Sequence, residues 1–101
     1  MAFSSSEDTD YRCNIPPSSP AFGPLGIKKF NFTDAAAGGS DIETGFDDGS
    51  VALLSVVTTA GTGVATAAVK QADTSIVTVT GPNSDEDGYI VVLGRQPGYG
   101  L

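Results

Sequence analysis

The clearest pattern along the chain is a two-residue alternation of apolar and polar side chains, broken every ten or so residues by turn formers. Ile27-Lys28-Lys29-Phe30-Asn31-Phe32-Thr33-Asp34 places Lys28, Phe30 and Phe32 on one face and Lys29, Asn31 and Thr33 on the other, as a half-buried strand requires. Ser75 to Thr80 alternates in the same way, with Ser75, Val77 and Val79 opposite Ile76, Thr78 and Thr80, so one of the two sides should be the drier. Val51 to Thr59 is β-branched and apolar, Tyr89 to Leu93 is continuously apolar, and shorter segments run from Ile42 to Phe46 and from Val64 to Lys70. Between them lie Ala35 to Ser40, Asp47-Asp48-Gly49-Ser50, Gly61-Thr62-Gly63, Gln71-Ala72-Asp73 and Gly81-Pro82-Asn83-Ser84-Asp85. Each is rich in residues that turn a chain. The pattern predicts an all-β fold: a small sandwich or barrel-like domain of about five to six short strands.

The two ends break the pattern. Residues 1–26 combine Ser, Gly and an early acidic run with four of the six prolines, Pro16, Pro17, Pro20 and Pro24. Because proline fixes φ and withholds an N–H donor, this segment is expected as an extended N-terminal arm. Residues 27–94 form the expected β domain, and residues 95–101 an aperiodic C-terminal tail. Apolar side chains are interspersed in these ends, which is unusual for a solvent linker. Phe3, Tyr11, Phe22, Leu25 and Tyr99 are therefore the expected partner-binding anchors.

Composition narrows the function. A chain of 101 residues holds one domain, and a net charge of −7 repels phosphate backbones and anionic lipid. No nucleic-acid or membrane partner is expected. Histidine is absent, which removes the side chain most used for proton transfer near neutral pH and the commonest metal ligand. Cys13 is the single cysteine, so no disulfide within the chain is possible. The start carries neither the basic nor the apolar segment of a signal peptide, so synthesis in the cytosol is expected.

Four motifs suggest chemistry, and each has a plainer reading. Gly61-Thr62-Gly63 after an apolar strand resembles the opening of a dinucleotide fingerprint, but Thr66 stands where its third glycine belongs and no second βαβ unit fits; a hairpin turn is expected instead. Asn83, Asp85 and Asp87, followed by Gly88, match half of a calcium loop, yet Gly94 falls where the bidentate Glu should be. That segment is expected as a solvated acidic hairpin turn, with the question of a cation open. Asp41, Glu43, Asp47 and Asp48 could supply a carboxylate pair, but no bulky apolar wall or tryptophan accompanies them. Cys13 has no base to activate it. Lys28 and Lys29 could meet an acidic partner or guard a sheet edge. No catalytic residue, metal or cofactor is expected, and the chain is read as not an enzyme.

Through Lys28-Lys29-Phe30-Asn31-Phe32-Thr33-Asp34, the Gly38-Gly39 break and Thr44-Gly45-Phe46-Asp47, with Thr/Ala/Gly/Val-rich strands throughout, the chain resembles the small β-rich virion structural proteins of tailed bacteriophages. Within that group its size and layout are similar to the capsid decoration, or cement, type. The resemblance implies a homo-oligomer, a trimer in particular, on the capsid surface of a virion, with the major capsid protein as partner and terminal arms laid over its subunits. The alternatives are a tail or head-completion component of the virion, or a carbohydrate- or receptor-binding β module.

Overall fold

The computed structural model describes residues 3–15 and 24–96. Eight strands and one turn of 3-10 helix lie within them: β1 (Ser4–Glu7), the helical turn (Thr9–Tyr11), β2 (Cys13–Ile15), β3 (Leu25–Ala35), β4 (Ser40–Glu43), β5 (Ala52–Ala60), β6 (Thr66–Val69), β7 (Ile76–Thr80) and β8 (Glu86–Arg95). They form two antiparallel sheets. The larger runs β1-β3-β8-β5, with β2 also on β3, and the smaller runs β4-β7-β6. The fold is all-β, and the six strands expected from residue 27 onward are all present.

Alternation explains which side of each strand is buried. In β3 the Phe30 and Phe32 rings face inward, and opposite them on β8 stand Ile90 and Gly88. Val77 and Val79 of β7 face back from the smaller sheet, both fully buried, with Ile42, Ala67 and Val69 as their ladder partners or neighbours. Ser75, Val77 and Val79 are thus the drier side of that segment. Asp34 interrupts the ladder with φ of 58°, and this bulge lets Ala35 return to the interior beside Glu86. The Asp87 side chain accepts the Asp34 backbone N–H at 3.0 Å and holds the bulge in place.

Two glycines form a socket for an aromatic ring. Gly26 and Gly94 are ladder partners on β3 and β8, and Phe46 fills the space in front of them. Lys28 closes this end of the sandwich: its ammonium lies 4.5 Å from the Phe46 ring centroid and donates to the Thr44 carbonyl at 2.8 Å.

The ends of the chain differ from expectation. The segment read as an arm is in part sheet, because β1 pairs with residues 30–33 of β3 and β2 pairs with residues 25–27. Backbone donors in an extended segment need acceptors, and the open edge of β3 supplies them. β3 itself starts at Leu25, and β8 continues to Arg95. Two connections expected as hairpins are also different. Gly61-Thr62-Gly63 carries the chain from β5 in one sheet to β6 in the other, and residues 81–85 carry it from β7 back to β8. Both cross between layers at one end of the sandwich, so neither joins paired neighbours.

Candidate assembly surface

The two solvent-facing sides of the sandwich differ in chemistry. On the smaller sheet the outward row is Asp41, Thr78 and Ala68, flanked by Glu43 beside Ile76 and by Thr80 beside Thr66. It is polar and cross-linked. Asp41 accepts from the Lys70 ammonium at 2.7 Å and from the Thr78 hydroxyl at 2.8 Å. These bonds, the one from Lys70 foremost, hold the Asp41 carboxyl below the usual aspartate range and raise the Lys70 ammonium in return.

On the larger sheet the outward rows mix aliphatic with polar side chains. Ile27, Leu93 and Ala52 stand side by side across β3, β8 and β5; Lys29, Val91 and Ser55 form the next row, and Asn31, Tyr89 and Val57 the third. None of these side chains belongs to the interior cluster or to the hydrophobics packed against it. Val91 is nevertheless only 8% exposed. Leu54 occupies the bulge where β5 slips against β8, beside Ser55, and is 51% exposed.

The one charge among these three rows is held against its own neighbours. The Lys29 ammonium lies 4.3 Å from the Tyr89 ring centroid, 5.6 Å from that of Tyr11 and 3.8 Å from Asp8 Oδ2. Asp8 is fixed there by its backbone, which donates to the Lys29 carbonyl at 2.8 Å. On that side of β3, β1 pairs with residues 30–33 and β2 with residues 25–27, so Lys28 and Lys29 stand in the gap between the two short strands, which the Asp8 backbone bridges. Lys28 is an internal cap, and Lys29 is covered by its own neighbours.

The expected anchors fall into three groups. Phe3 points the other way from this face: its ring stacks on Phe32 with centroids 6.3 Å apart and adds to the chain's own core. Tyr11, 48% exposed, borders the face through Lys29, and Leu25 shares the outward side of β3 with Ile27. Phe22 and Tyr99 lie outside the described residues. Cys13, the ladder partner of Ile27, is exposed on the same side.

The residues considered for catalysis or metal are spread apart. Asp47 is ion-paired with Arg95 at 2.8 Å, and Glu43 accepts from the Ser75 hydroxyl at 3.2 Å. Asp85 accepts from the Thr62 hydroxyl, while Asp87 accepts from the Asp34 backbone N–H. Burial pushes the Asp85 carboxyl up, but hydrogen bonding, that from the Thr62 backbone and hydroxyl included, outweighs it and leaves the group below its usual value. Among the described residues no group of three or more His, Cys, Asp or Glu is placed to hold a metal. The acidic turn is also less solvated than expected, because Glu86 within it is fully buried and its Oε1 has no partner.

Ile27, Val91 and Leu93 were not singled out by pattern, although one signal for them exists. The unbroken apolar run Tyr89 to Leu93 leaves no polar side for solvent, so a strand there must be covered on both faces or expose one. No family model, curated protein or solved structure matches the chain.

Proposed function

We propose that this chain is a non-enzymatic structural subunit that works by binding other protein subunits through the outward side of its larger sheet. The observation that carries this reading is the inequality of the two outward sides: one is polar and cross-linked, while the other sets Ile27, Leu93, Ala52, Val91 and Val57 among Lys29, Ser55, Asn31 and Tyr89, with Leu54 exposed beside them. Monomeric proteins rarely leave contiguous apolar surface open, and such patches mark contacts with other proteins. With a net charge of −7 carried elsewhere, the face can approach another protein without bringing like charges together.

The more specific form of the proposal is a virion subunit of the capsid decoration type, with the major capsid protein as partner. Its support is the resemblance of residues 28–34, 38–39 and 44–47, together with a small domain of two antiparallel sheets. A protein of this kind acts by linkage: it binds the assembled lattice and not the dispersed subunits, so many modest contacts shift the balance toward the assembled state. Virions assembled with and without the chain should release their DNA at different temperatures, the complete particle at the higher. Equal release temperatures overturn the decoration reading.

A further inference from the structure

We propose that the buried Glu86 carboxylate, with the Asn83 side chain beside it, binds a single calcium-sized divalent cation at the end of the sandwich where the chain crosses between its two sheets. This site is separate from the outward side of the larger sheet and owes nothing to the assembly reading.

At its centre is a charge without a partner in the chain. Glu86 is fully buried, and its Oε1 receives no hydrogen bond. Its Oε2 has the Asn83 backbone N–H, at 3.3 Å. A carboxylate so placed needs a proton, a side-chain cation or a bound ion to neutralise it. The chain holds five Lys and Arg, and all five are engaged elsewhere. Arg12 pairs with Glu7, Lys29 with Asp8, Lys70 with Asp41 and Arg95 with Asp47. Lys28 donates to the Thr44 carbonyl and lies over the Phe46 ring. Glu86 is the ladder partner of Ala35, and its chain neighbours Asp85 and Asp87, with Asp34 next to Ala35, add carboxyl groups to this end and no cation. The local charge therefore favours a positive ligand.

The surroundings of the carboxylate supply further oxygens. A β-carbon on Gly81 would collide with Glu86 Oε2 and would lie 2.5 Å from the Ala35 carbonyl oxygen, and one on Gly63 would lie 2.9 Å from both Glu86 Oε1 and Asn83 Nδ2. The missing side chains of these two glycines let a backbone carbonyl and a side-chain amide stand close to the carboxylate. A half-turn of the Asn83 amide presents its oxygen in place of its nitrogen. Carboxylate, carbonyl and amide oxygens are the ligands of a hard cation, and calcium accepts an irregular set of them completed by water, whereas magnesium demands a near-octahedral one. The described residues hold no cluster of three His, Cys, Asp or Glu side chains, so the ligands beyond Glu86 are neutral oxygens. In the half-matched calcium loop of residues 83–88 the anchor is thus Glu86, which the alternate-position pattern skips, while Asp87 holds the Asp34 backbone and Asp85 holds Thr62. A site with so few charged ligands binds weakly, with a dissociation constant of about 10⁻⁴–10⁻³ M.

Thermal melting of the full chain in chelator, and then in about 10 mM calcium or magnesium chloride, tests the site. Calcium should raise the wild-type Tm by at least about 4 °C, and magnesium by less than half as much. Glu86→Gln should fold in chelator and lose the calcium shift, Asn83→Ala should at least halve it, and Asp41→Asn, on the polar sheet, should keep it. Calorimetric titration of the wild type should give one calcium ion per chain. The absence of a calcium shift overturns the proposal. Equal shifts with the two metals, or a calcium shift that survives Glu86→Gln, overturn it as well, because they report general screening of the −7 charge. If Glu86→Gln does not fold, Asn83→Ala decides, since Asn83 is exposed and alanine keeps its backbone N–H: a halved shift upholds the site, and an undiminished one overturns it.

Discussion

Phe46 packs directly against the backbone of Gly94: a β-carbon at position 94 would lie 2.5 Å from its Cδ2 atom, closer than two carbons can come. The contact ties the connection between β4 and β5 to the central strand β8. Both neighbours of the ring are backbone or tightly held, since Lys28 sits over its face and Gly26 stands beside Gly94. Gly94→Ala should therefore destabilise the fold by about 1–3 kcal/mol through overpacking. A urea midpoint equal to that of the wild type would show that the ring can move aside.

Phe3 leads to a prediction about the role of the N-terminal strand. Its stacking on Phe32 makes β1 part of the core and gives the ring an intramolecular partner. Phe3→Ala should cost about 1–2 kcal/mol, less than the loss of a fully buried phenylalanine because the ring is only partly covered. The same substitution should leave any association constant unchanged. A loss of association without loss of stability would return Phe3 to the role of a contact residue.

Glu86 is fully buried, accepts one weak bond from the Asn83 backbone N–H at 3.3 Å, and leaves Oε1 unpartnered. A buried acceptor without a donor costs about 1–3 kcal/mol. Glu86→Gln keeps an oxygen for Asn83 and adds two N–H donors in the same volume. Its urea midpoint should rise, by the equivalent of about 1 kcal/mol; a fall would mean that the carboxyl makes a contact essential to the crossing between the sheets.

The Asp41–Lys70 pair predicts a specific pH dependence. Asp41 is held below its ordinary value of 3.8, so it contributes stability above that value and loses it as the pH falls through the lowered one. Lys70 is raised above 10.5, so its contribution is complete below 10.5 and disappears as the pH climbs through the raised value. The stability gap between wild type and Lys70→Gln should accordingly be open across neutral pH and narrow at both extremes. Because both side chains are solvent-exposed, added salt should narrow it too. A gap that is flat from acid to alkali would mean that the ion pair makes no contribution.

Much of the fold was legible because period-two patterning is a local property. The six strands from β3 to β8 followed from side chains that alternate within a few residues, and the inward sides of β3 and β7 followed from the same rule. The crossings were not legible. Gly61-Thr62-Gly63 has the composition of a hairpin turn, and whether such a turn joins neighbours in one sheet or passes to another depends on pairings distant in sequence. The same holds for Phe3, whose partner Phe32 lies beyond a proline-rich stretch that shows no periodicity.

By itself, the sequence determined the all-β class and the strand segments, because both depend on residue type and near neighbours alone. Only the tertiary structure decided which apolar residues are core and which are surface. Ile90 and Val91 are adjacent in the chain and both buried, yet one faces the opposing sheet and the other faces outward beside Lys29. Hydrophobicity cannot distinguish them, since the difference lies in what stands opposite. That depends on the stacking of a three-stranded sheet on one side of β8. The outward side of the larger sheet, with Ile27, Val91 and Leu93 on it, comes into view only once the sheets are assembled.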